Sequence, residues 1–159
     1  MSESARDMLR HTVATLAYRG AKAVRGAPEG FGDFRASPTS RTPSQILAHL
    51  CDLMDWALSQ AQGRQAWTDT TPSSWENDTA RLFRALRALD DVLASDEPLA
   101  YQPAQIFQGA IADALTHVGQ INFLRRMFGH PVRGENYFRA EITAGRVESD
   151  QAAPRREFD

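Results

Sequence analysis

Apolar residues recur at helical spacing in four stretches of the chain. From Ser4 to about Val24, the positions Leu9, Val13, Leu16, Ala17 and Val24 mark one face of a first helix. Gly26, Pro28, Gly30 and Gly32 then punctuate a loop that continues to Arg41. Thr42-Pro-Ser-Gln45 predicts a helix start in three ways: a Thr N-cap, Pro at the first helical position and Gln at the reciprocal capping-box position. The second helix is expected to reach about Gln62, with Gly63 as its stop. Its apolar positions, Ile46, Leu47, Leu50, Leu53, Met54, Ala57 and Leu58, cover the broad arc of a helix packed against two neighbours.

Residues 63–72 read as a loop with an aromatic anchor at Trp67. Ser73-Ser-Trp-Glu76 reads as a second capping box, opening a third helix with Thr79, Leu82, Leu86, Leu89 and Leu93 on its apolar side. Arg81, Arg84, Arg87 and Asp90 fall on the other side and read as a solvated face. After the break at Ser95-Asp-Glu-Pro98, Pro103 opens the longest helix, which Gly129 and Pro131 end. Four amphipathic helices without strand-like alternation predict an all-α four-helix bundle over residues 1–147. The stretch from Arg133 to Ile142 is expected as a short helix or docked segment, and residues 148–159, polar and aperiodic, as a flexible tail.

Composition narrows the class of function. The chain has 159 residues, 42% of them apolar, which suits one domain with a sizeable core. A formal net charge of −2 gives no basic footprint, so neither nucleic acid nor an anionic membrane is an expected partner. The single cysteine, Cys51, excludes an internal disulfide and reads as a small core residue. No apolar run is long enough for a membrane span or a signal peptide, and a cytoplasmic location is expected.

The candidate chemistry lies in Asp113-Ala-Leu-Thr-His117-Val-Gly-Gln120. Asp113 and His117 are four residues apart and so share a helix face, roughly 5–6 Å apart at Cβ. His49 sits at the edge of the apolar arc of the second helix, so one carboxylate and two imidazoles can meet at one point and leave open positions on a metal. Asp113 interrupts an apolar face, where a carboxylate must be exposed, protonated or paired with a cation, whether metal or arginine. A core histidine or an Asp–His hydrogen bond accounts for the same pattern. His11 and His130 lie off these faces and read as structural or solvent-exposed. Gln120 is a candidate to orient a ligand or support His117, Gly119 a candidate for close helix approach, and Asp52 a weaker candidate to support His49.

Ile46-Leu-Ala-His49-Leu, His117-Val-Gly-Gln120-Ile with Leu124-Arg-Arg126, and Glu135-Asn-Tyr-Phe-Arg-Ala-Glu-Ile142 together resemble the DinB-like metal-binding bundles. That superfamily includes the YfiT-like metal-dependent hydrolases and the mycothiol-dependent maleylpyruvate isomerases. The resemblance implies metal ligands at His49 and His117. Asp113 stands where many members carry His; a carboxylate there resembles the isomerase branch, which holds zinc with an acidic residue at that position, although the stretch after Val147 is not expected to form that branch's additional C-terminal domain. It implies a divalent metal, zinc or nickel first and iron or manganese next, in a thiol S-transferase or hydrolase acting on a small molecule. A low-molecular-weight thiol is the implied co-substrate and a homodimer the implied assembly. The alternative is a non-catalytic dimeric bundle or small-molecule binding module with a degenerate metal site.

Overall fold

Helix starts coincide with side chains that supply the acceptors a first turn lacks. The computed structural model describes residues 4–159. α1 (Ala5–Val24) begins at Ser4, which forms a reciprocal capping box with Asp7, and α2 (Pro43–Ala61) begins at Thr42, boxed with Gln45. α3 (Trp75–Ala94) starts one residue later than the expected capping box: Ser74 is its cap, accepting from the Asn77 amide at 3.1 Å. The amide of Ser73 donates instead to the Asp78 carboxylate at 2.9 Å, so the Ser73/Glu76 box does not form.

Both glycine stops hold. Gly63 and Gly129 have φ of 81° and 84°, a left-handed conformation that other residues resist. Arg64 donates to the Ser59 carbonyl and Gly63 to that of Gln60, and His130 and Gly129 repeat the pattern on Arg125 and Arg126, giving α2 and the last helix paired terminal bonds of the same kind.

The last helical run departs from the expected single α-helix. α4 (Pro103–Ile106) leads into a π turn at Phe107–Ile111 and then α5 (Ala112–Met127), with helical backbone throughout. A π turn adds a residue to the winding and so resets which side chains face the core beyond it. Here it ends two residues before Asp113. Gly109, inside the turn, lies against the Trp56 ring of α2: a Cβ built there falls 3.7 Å from the indole.

α1 and α2 each pack against both α3 and α5. Val13, Leu47, Leu50, Met54, Leu86, Leu89, Ile106, Ile111 and Ile121 are among the fully buried side chains between them. Phe31, in the segment expected only as loop, is also fully buried and meets Trp75 and Phe128 edge-on, with centroids 5.5 and 5.6 Å away.

Two polar expectations are corrected. Asp90 is not on a solvated face: it is fully buried, holding the Arg10 guanidinium at 2.9 and 3.1 Å and Arg87 at 3.3 Å. Arg81 bridges Asp52 and Asp55, at 2.7 Å to each. Residues 148–159, expected as a loose tail, turn back to the helices. β2 (Glu157–Phe158) pairs antiparallel with β1 (Gly134–Glu135), and Glu157 lies 3.5 Å from Lys22. Among the described residues no helix is long and apolar enough to cross a membrane.

Candidate metal centre

The groove between α2 and α5 takes its character from helix phase. His49 is set on α2 by the packing of Ile46 and Leu53 to either side, both buried. On α5, Ala114, Val118 and Ile121 turn into the core, which leaves Asp113, His117 and Gln120 along the groove edge. His49 Nε2 lies 3.5 Å and His117 Nε2 3.4 Å from Oδ2 of Asp113. One ligand atom from each of the three side chains lies within 4.8 Å of the other two. The imidazole rings stand nearly perpendicular, at 88°, with centroids 4.7 Å apart.

These separations bear on whether a cation fits. Donors bound at about 2.0–2.1 Å in a tetrahedral array sit about 3.3–3.4 Å from one another. The two Asp113 separations match that value, and both exceed the roughly 2.7–3.2 Å of a good N–H···O bond. The carboxylate is therefore drawn fully onto neither ring. Two imidazoles and a carboxylate, with open space on the groove side, form a donor set suited to a divalent cation.

The sequence places Asp113 within an apolar face, whereas its side chain is 47% exposed at the rim. The cost of burying a carboxylate therefore carries no weight here, and convergence of the donors carries the argument in its place. The groove also opens to solvent between α2 and α5, with no α1 residue lining it.

Gln120 supports the site directly. Its Oε1 lies 2.8 Å from His117 Nδ1, so with the proton on Nδ1 that nitrogen donates to Gln120 and Nε2 keeps a free lone pair toward Asp113 and His49. Gly119 is exposed on the groove, with nothing near enough to require a missing side chain. Asp52 does not support His49. Its carboxylate accepts from the Thr70 amide at 2.8 Å, the Thr70 hydroxyl at 2.5 Å and Arg81 at 2.7 Å. The two Thr70 bonds, with that from the Ala66 amide to Ser59 Oγ at 2.9 Å, strap the 63–72 loop to α2. The strap sets Trp67 edge-on to His49, with centroids 5.6 Å apart, and to Trp56 at 5.8 Å.

Burial lowers the His49 pKa, and the nearby His117 and Arg41 lower it further, against an opposing pull from Asp113. The neutral imidazole, the form a metal takes, is thereby favoured. Cys51 is buried, its thiol pushed up to about 12 chiefly by desolvation, and it donates to the Asp78 carbonyl at 3.3 Å, as a core cysteine does.

The whole groove, donors included, holds about 910 Å³, and its wall also includes Arg41, Ile46, Phe123, Leu124 and Met127. Arg41, Phe123 and Met127 are site residues beyond those expected from the sequence. Phe123 and Met127 carried a signal: they follow Thr116 and Gln120 at helical spacing, apolar on a side other than the core stripe. Arg41 carried none, because its place depends on how the loop before α2 folds. Comparisons with known protein families, curated proteins and solved structures yield no match.

Proposed function

We propose that this chain is a DinB-like four-helix bundle holding one divalent cation on His49, Asp113 and His117, and that it acts on a small molecule as a thiol S-transferase or hydrolase. The observation that carries the reading is the convergence of three donors from α2 and α5 within 4.8 Å of one another, with both imidazole nitrogens about as far from Asp113 as a metal's ligands stand apart. Two imidazoles and one carboxylate favour zinc or nickel, with iron or manganese next. When bound, such a cation lowers the pKa of a thiol or a water enough to give a nucleophile at neutral pH.

The chain's own residues do the rest. Asp113 offsets one unit of the cation's charge, Gln120 keeps the His117 lone pair aimed at the site, and Trp67 shields one side of His49. The groove side stays open for a substrate. Purification without chelator, followed by metal analysis of wild type and His117→Ala, tests the reading. One metal per chain in wild type, lost in the variant, supports it. No metal in either leaves a non-catalytic binding module as the account of the groove. Conjugation of a low-molecular-weight thiol to an electrophile, or hydrolysis in its place, then separates the two reaction classes.

A further inference from the structure

The groove beside the three donors has a chemical asymmetry that the metal does not explain. Ile46 and Leu124 form a buried apolar floor, while Phe123 and Met127, 63% and 49% exposed, stand along one wall. Arg41 is on the rim, exposed, and is the one Arg or Lys lining the groove among the described residues. Arg10, Arg81 and Arg87 are tied to carboxylates, and Arg6 and Arg125 to carbonyls, whereas Arg41 makes no such bond among the described residues. It stands immediately before Thr42, the N-cap of the 19-residue α2, so the positive end of that helix adds to its field.

Charge counting gives the complement. A divalent cation with Asp113 leaves one positive charge, and Arg41 adds a second. A thiolate together with one further anionic group neutralises both, and a planar carboxylate matches the guanidinium fork. Resting on the metal reading above, we infer that the groove takes a thiol bearing an anionic head group and an apolar body, with Arg41 gripping the head and Phe123 and Met127 covering the body.

The test uses full-length protein loaded with cobalt(II), titrated with a benzyl-substituted mercaptopropanoate and with its neutral primary amide. Sulfur-to-cobalt charge-transfer absorption reads binding without reference to turnover. The acid is expected to bind wild type about tenfold or more tightly than the amide, the scale of a charge-assisted hydrogen bond. Arg41→Gln, at an exposed site, should erase that preference while cobalt content stays at the wild-type value. Phe123→Ala should weaken acid and amide alike. Equal binding of acid and amide by wild type, or a preference that survives Arg41→Gln, overturns the inference and leaves the metal reading intact. Failure to retain cobalt overturns both.

Discussion

Gln120 Oε1 lies 2.8 Å from Nδ1 of His117, one turn along the same helix. With the proton on Nδ1, that nitrogen donates to the amide oxygen and the neutral ring presents Nε2 to Asp113 and His49. Groups that orient a metal's histidine in this way typically contribute 10- to 100-fold to affinity. Gln120→Leu is therefore expected to weaken zinc binding by about that factor with all three ligands in place. Competition against a chromophoric chelator measures it, and unchanged affinity would remove Gln120 from the site.

The lowered His49 pKa fixes the sign of a pH effect in the metal-free protein. The unfolded imidazole takes up its proton near pH 6.5, before the folded one does. The neutral ring's contribution to stability is thus complete above about pH 6.5 and is lost as pH falls through the lower folded-state value. Urea unfolding of wild type and His49→Gln should show wild type losing ground to the variant on acidification. A wild-type advantage that grows toward low pH would contradict the assignment.

Asp90 is a buried carboxylate held by two arginines from different helices, Arg10 of α1 and Arg87 of α3. Arg10→Ala leaves that carboxylate buried with half its partners, at an expected cost of about 1.5–3 kcal/mol by chemical denaturation. Arg133→Ala, which breaks ion pairs on the exposed rim, is expected to cost less than about 1 kcal/mol. Equal costs for the two variants would refute the burial argument.

Glu135 ties the C-terminal return to α1: its buried carboxylate accepts from the Tyr18 hydroxyl at 2.5 Å and from Lys22 at 2.7 Å. Burial and that bond raise the Tyr18 pKa, so the hydroxyl remains a donor. Glu135→Ala should loosen the β1–β2 pair and speed tryptic cleavage after Arg155 or Arg156 relative to wild type. Unaltered cleavage would mean that the return is held elsewhere.

Local signals in the sequence carried the helices. The cap at Thr42 and the stops at Gly63 and Gly129 depend on neighbouring residues, so they survive folding as read. Asp113 and His117 were legible because helical spacing alone brings them together, and His49 because it edges an apolar arc. The burial of Asp90 was not legible, because an aspartate beside arginines looks solvated until another helix brings Arg10 to it. The π turn likewise has no marker that the helical spacing of Phe107-Gln-Gly-Ala-Ile111 reveals, and it lies where Gly109 meets Trp56 of another helix. Asp52 was misplaced for a similar reason, its partners Thr70 and Arg81 lying far along the chain.

The edge-on contact of Trp67 with His49, and of Trp67 with Trp56, puts two of the chain's three indoles within one ring's reach of the centre. The protein thus carries an intrinsic optical gauge of its own site. A quenching ion such as copper(II) or nickel(II), settling there, would dim the ultraviolet emission of that pair while sparing Trp75, which packs against Phe31, so occupancy can be followed without a label.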